Sequence, residues 1–131
     1  MPLVFFDVIK GRTEAELTEI LNVSHQVFVD TLDIPEGDRY QILRQHEPFE
    51  MIIKDTGLGF ERSNKVVVLT VVSRHRDKEM KTALYRKLVE ELEEKCQIQP
   101  SDVMISFSIN EDTDWSFGFG RAQFLTGELK G

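Results

Sequence analysis

A chain of 131 residues with 40% apolar side chains is long enough for one domain with a real core, and a second domain of ordinary size is excluded. Its formal charge of -7, with acidic residues gathered at Glu90, Glu91, Glu93 and Glu94, gives no electrostatic footprint for nucleic acid. One cysteine cannot form an internal disulfide, and no stretch is apolar enough to span a bilayer or act as a secretory signal, which points to the cytoplasm and to no membrane partner.

Pro2 opens the chain, followed at once by Leu3, Val4, Phe5 and Phe6. A proline at the first position of a strand does no harm, since its missing N–H is not needed there. Methionine is usually trimmed before so small a residue, and the mature chain would then begin with a free secondary amine. An α-amino group titrates near neutrality, at about 7.7–8.0, and burial or neighbouring charge moves it either way.

Residues 3 to 9 are β-branched and aromatic and predict a strand that ends at the Lys10-Gly11 turn. Thr13-Glu14-Ala15-Glu16 fits a capping box, and Leu17, Ile20, Leu21, Val27, Phe28 and Leu32 recur at helical spacing behind it. Ile34-Pro35-Glu36-Gly37-Asp38 breaks that helix. Arg39 to Leu43 predicts a second strand, and Glu50 to Lys54 a short extension or separate strand before Gly57 and Gly59.

The order then repeats. Val66 to Ser73 predicts a stronger strand, Asp77 caps a helix running to about Cys96 along Leu84, Leu88 and Leu92, and Asp102 to Ile109 predicts a closing strand. A shift of 64 positions superposes Val4 on Val68, Arg12 on Arg76, Ile34 on Ile98 and Asp38 on Asp102. The expectation is an α+β fold in a single domain, 1–131, with a pseudo-repeat of 2–46 and 66–110. Its two tandem β-α-β units form one four-stranded sheet with both helices on one face. The other face then needs polar residues or a second copy of the chain, and a homo-oligomer is expected.

The tail, 111–131, predicts a short hairpin on which Trp115, Phe117 and Phe119 share a side, as subunit packing or as the wall of an apolar pocket. Cys96 ends an apolar stripe and is expected to pack as a small hydrophobe. His25, His46 and His75 lack ligand spacing, so they predict packing or surface positions rather than a metal site.

Arg74-His75-Arg76 follows the strongest strand, and alternation along an extended chain sends both guanidiniums to one side. Paired arginines bind a carboxylate through parallel N–H donors and stay charged at any working pH. Taken singly, these positions have ordinary readings: a surface pair at a strand end, a turn hydrogen bond from Asp38, a strand-opening proline. Together, an amine, a carboxylate, two arginines and an aromatic tail make a complete set for a small oxo acid.

Several stretches give the set a more specific reading. They are Pro2-Leu3 with Phe6-Asp7, Gly37-Asp38-Arg39-Tyr40-Gln41, Asp55-Thr56-Gly57-Leu58-Gly59, Ser73-Arg74 with Arg76, Asp114-Trp115-Ser116-Phe117-Gly118, and Phe124-Leu125-Thr126-Gly127. In these the chain resembles the tautomerase superfamily and, within it, the malonate semialdehyde decarboxylase family over nearly its whole length. The resemblance implies Pro2 as the acid or base, Arg74 and Arg76 as holders of a substrate carboxylate, and Asp38 as an aid to proton or water transfer. It implies an apolar wall of Trp115, Phe117, Phe124 and Leu129, a homotrimer, a small oxo-acid substrate and no cofactor. One position departs: His75 stands where that family's pattern has a proline, which gives up rigidity between the arginines.

The chemistry then turns on the amine. A protonated Pro2 supports decarboxylation of a 3-oxo acid, with hydratase activity, either by polarising the carbonyl or through a Schiff base. A neutral Pro2 supports keto-enol tautomerisation of phenylpyruvate-like 2-oxo acids. A non-catalytic trimer that binds a protein or ligand is the alternative from another class.

Overall fold

A computed structural model describes residues 2–130; whether Met1 is retained or removed lies outside the described residues. The elements are β1 (Leu3–Ile9), α1 (Glu14–Leu32), β2 (Tyr40–His46), β3 (Val67–Arg74), α2 (Lys78–Cys96), β4 (Val103–Asn110) and a single helical turn, α3 (Gln123–Thr126). The four strands form one sheet in the order β2-β1-β3-β4. β1 runs parallel to β2, β3 runs parallel to β4, and the central pair β1 and β3 is antiparallel. This is the expected α+β architecture.

Local chemistry explains where the helices begin and end. The Thr13 hydroxyl accepts the Glu16 N–H at 3.1 Å while the Glu16 carboxylate accepts the Thr13 N–H at 2.8 Å, satisfying two otherwise orphaned donors at the start of α1. Asp77 does the same for α2 by accepting the Met80 N–H at 2.8 Å. Each helix stops at a residue in the left-handed region, Asp33 and Gln97.

One face of the sheet carries Val4, Phe6, Val8, Val67, Leu69 and Val71, all buried in one cluster with Ile20, Val27 and Phe28 of α1 and Leu84, Leu88 and Leu92 of α2. Both helices therefore cover the same face. Cys96 packs partly buried at the edge of this cluster, and burial pushes its thiol above the ordinary value.

Among the described residues no helix or second sheet covers the opposite face, although Met51 and Ile53, after β2, pack on its Ile9 and Val68. By the strand register that face presents Leu3, Phe5, Tyr40, Ile42, Val68, Val72 and Met104. Tyr40, Ile42 and Met104 are each about two-fifths exposed. Its polar part is a cluster in which Asp7 accepts two bonds from Arg44, both 2.9 Å, and lies 2.7 Å from His46 Nε2.

Two expected segments differ. Glu50 to Lys54 is not a strand: Pro48–Glu50 is a 3-10 turn, and the chain from Met51 to Lys54 is irregular. Pro48 brings no N–H to a ladder, Glu47 and Glu50 close the turn on each other, and Arg62 Nε takes the Lys54 carbonyl at 2.8 Å. The tail hairpin shrinks to one antiparallel bridge, Gly118 with Arg121, before α3. Gln123 ends it early, because its side chain accepts the Phe117 N–H at 2.9 Å and donates to the Gly118 carbonyl at 3.0 Å, using up groups a longer ladder needs. Phe119 adopts a left-handed backbone, is 92% exposed, and does not share the side taken by Trp115 and Phe117.

Candidate active site

The register decides which residues meet. Leu3 pairs with Tyr40 on one side and with Val72 on the other. The starts of β1 and β2 and the ends of β3 and β4 therefore lie at one end of the sheet. Pro2, Asp38, Arg74 and the 111–130 segment all belong to that end, although they are far apart in the chain.

Pro2 and Asp38 are both buried, and they line one small pocket with Val4, His25, Phe28, Ile34, Tyr40 and Gln41. The turn before β2 fixes Asp38, whose N–H donates to the Pro35 carbonyl at 3.0 Å. Burial pushes its carboxyl above the ordinary carboxylate range, and nearby positive charge, including Arg76 and His25, pulls against that rise. His25 is buried and its Nε2 lies 2.8 Å from the Glu36 carbonyl, so α1 braces the turn that carries Asp38.

The arginines occupy an adjoining cleft lined by Arg74, His75, Arg76, Asn110, Glu111, Asp112 and Thr113. Arg76 Nε donates to the Ser73 hydroxyl at 3.3 Å and its Nη1 to the Leu32 carbonyl, at the C-terminus of α1, at 3.4 Å. Burial and the like charge of Arg74 lower its pKa while Asp38 raises it, which puts Arg76 within electrostatic reach of both. Arg74 Nη1 donates to Asp112 Oδ1 at 2.6 Å, and its guanidinium lies 3.8 Å from the centroid of Phe124. These anchors supply the rigidity that His75, itself exposed, does not.

An aromatic chain joins the pocket to the cleft. Tyr40 lies 5.7 Å from Phe117, Phe117 stacks on Trp115 at 5.3 Å, and Phe117 meets Phe124 edge-on at 5.4 Å, which returns the path to Arg74. Trp115 Nε1 donates to Asn110 Oδ1 at 2.8 Å, tying the wall to the end of β4. Leu129 is half-buried and is held beside α3 by its N–H on the Gln123 carbonyl at 3.1 Å.

Three neighbours of this site were not singled out in the sequence as site residues. Tyr40 lies within the Gly37-Asp38-Arg39-Tyr40-Gln41 stretch and is aromatic, so its signal was present. His25 and Asp112 gave none, because their relevance comes from packing and from the end of β4. Among the described residues, no group of three or more His, Cys, Asp or Glu side chains is placed to hold a metal ion.

The second unit contains a counterpart at the opposite end of the sheet, as the antiparallel centre requires. There Arg12 feels Asp102 electrostatically, as Arg76 feels Asp38. The chain itself fills this counterpart. Ser63 donates from its N–H and hydroxyl to Asp102 at 2.7 and 2.5 Å, Arg12 Nη2 donates to the Lys65 carbonyl, and Val66, the position matching Pro2, is an internal residue with no amine to offer.

Comparison with known proteins shows the family. Family models described as tautomerase enzymes match residues 2–61 and 38–118. A relative in Bacillus subtilis (strain 168), the probable tautomerase YrdN, is 50% identical over 98% of this chain and 100% of its own length. The chain belongs to the tautomerase family. Among solved structures it is similar to malonate semialdehyde decarboxylase, described with decarboxylase and hydratase activities, at 48% identity and a TM-score of 0.95 over 98% of this chain and 99% of that one. It is also similar to the FG41 malonate semialdehyde decarboxylase inhibited by 3-bromopropiolate, at 39% identity and a TM-score of 0.92, covering 97% of each.

Proposed function

We propose that this chain is a cofactor-independent cytoplasmic enzyme that decarboxylates a small 3-oxo acid and also hydrates related substrates, using the Pro2 amine exposed by removal of Met1. The observation that carries the reading is that Pro2 and Asp38 share one buried pocket, joined by an aromatic wall to a cleft holding Arg74 and Arg76. Its likeness to malonate semialdehyde decarboxylase supports the substrate class.

Arg74 and Arg76 hold the carboxylate with its C–C bond out of the plane of the neighbouring carbonyl. As that bond breaks, carbon dioxide leaves and the electron pair moves onto the carbonyl oxygen, where protonated Pro2 stabilises the developing charge. The enol or enolate then takes a proton at carbon, and Asp38, which lines the pocket with Pro2, assists the transfer. Trp115, Phe117, Phe124 and Leu129 favour loss of the charged group by surrounding it with apolar surface. The uncovered sheet face supports assembly as the homotrimer that the family resemblance implies.

A second reading is keto-enol tautomerisation, favoured by the 50% identical relative that is a probable tautomerase. It needs a neutral Pro2 to take an α-proton, so the protonation state of one amine separates the two.

The test is turnover of a panel of 3-oxo and 2-oxo acids, followed as carbon dioxide release and as enol absorbance, on protein shown by mass spectrometry to lack Met1. Pro2→Ala is expected to lower kcat by roughly 10²–10⁴-fold, the range for a positioned acid or base. Mature protein that releases no carbon dioxide from any 3-oxo acid refutes the decarboxylase reading.

A further inference from the structure

The hydrogen bonds of the two arginines limit how they grip a carboxylate. On Arg74, Nη1 is taken by Asp112, and Nε is buried with no hydrogen bond. On Arg76, Nε is taken by Ser73 and Nη1 by Leu32. Among the described residues, Nη2 of each arginine carries no hydrogen bond to the protein, whereas each Nη1 has committed one of its two N–H groups. The pair therefore offers a ligand the Nη2 donors of both forks.

Asp112 sets this arrangement from a rigid position. Its turn is closed by the Asp114 N–H on the Glu111 carbonyl at 3.0 Å and by the Glu111 N–H on Asp114 Oδ2 at 2.8 Å. The flanking residues Asn110 and Trp115 are bonded to each other. Phe124 closes one face of the Arg74 guanidinium, so a fixed carboxylate at Nη1 determines where Nη2 points. Asp112 also sets the charge balance. The cleft sets two guanidiniums beside Asp112, with Glu111 also in its lining, so one substrate carboxylate is favoured and a second meets Asp112 as a like charge.

We propose that Asp112 is a positioning residue that aims Arg74 Nη2 into the cleft and makes the arginine pair select monocarboxylates over dicarboxylates. The inference rests on the reading that Arg74 and Arg76 hold a substrate carboxylate. It adds a specificity determinant that touches the arginine rather than the reacting atoms.

The experiment is a binding titration independent of turnover. Trp115 is the chain's single tryptophan and is part of the aromatic wall, so its fluorescence reports occupancy. 3-Hydroxypropanoate and malonate are titrated at fixed ionic strength into wild type, Asp112→Asn and Asp112→Glu. Asp112→Asn is expected to shift the ratio of the two affinities toward malonate by about tenfold, since one adjacent charge is removed, while Asp112→Glu keeps the wild-type ratio. A ratio within twofold of wild type for Asp112→Asn, or an equal shift for Asp112→Glu, overturns the proposal. Wild type that binds neither acid overturns both this and the carboxylate-holding reading; binding with the expected ratio but no carbon dioxide release overturns the decarboxylase reading alone.

Discussion

Asp38 and Asp102 occupy matching places in the two β-α-β units, yet opposite consequences follow from removing them. Asp102 is fully buried and accepts two bonds from Ser63, at 2.7 Å from the N–H and 2.5 Å from the hydroxyl. A hydrogen bond to a charged group contributes about 1.5–3 kcal/mol. These two share one carboxylate and are not independent, so Asp102→Ala is expected to cost about 3–4 kcal/mol in all. Domains of this kind have about 5–15 kcal/mol of total stability, so the loss is a large share of it. Asp38 differs because burial raises its pKa, meaning that folding disfavours its charged form. Asp38→Ala is expected to leave stability within about 1 kcal/mol of wild type, or to increase it, while lowering turnover. Urea unfolding followed by circular dichroism measures both, and Asp102→Asn, which keeps one acceptor, provides a milder variant with roughly half the loss. A cost under about 1 kcal/mol for Asp102→Ala, or an equal cost for the two alanine variants, would show that the contrast between a structural and a functional carboxylate is wrong.

Two further outcomes are expected. Because the folded Asp38 carboxyl keeps its proton to higher pH than the unfolded one, wild type should lose stability relative to Asp38→Asn as pH rises from the ordinary carboxylate value of 3.8 through the raised folded value. Parallel stability curves across that window would contradict the direction of the shift. Ile42→Asp or Met104→Asp places a charge on the uncovered sheet face and should lower the assembled mass in sedimentation without changing the helical circular dichroism signal. A mass equal to wild type for both variants would remove that face from the assembly.

The aromatic tail shows how far pattern reading reaches. Alternation correctly put Trp115 and Phe117 together, but it assumed a regular extended backbone and so included Phe119. The assumption failed where Gln123 intercepted the backbone groups of Phe117 and Gly118. The same limit applies at Glu50 to Lys54, whose apolar residues resemble a strand although Glu50 closes a turn with Glu47 and Arg62 takes the Lys54 carbonyl. Conversely, the repeat matched Asp102 with Asp38, and only the Ser63 contacts show that the Asp102 carboxylate is held by the chain itself.

By itself, the sequence determined the two long helices, the four strands and the direction in which each points its apolar side, because those follow from residue spacing and from capping side chains within a few positions. It also carried the motif residues Pro2, Asp38, Arg74 and Arg76 as a family pattern. Only the tertiary structure decided that the antiparallel centre of the sheet brings the start of β1 and the end of β3 to one end, and so Pro2 toward the arginines. The roles of Asp112 and His25 were likewise decided there, since one guanidinium's free donors depend on which distant acceptor has taken the others, and no local spacing encodes that.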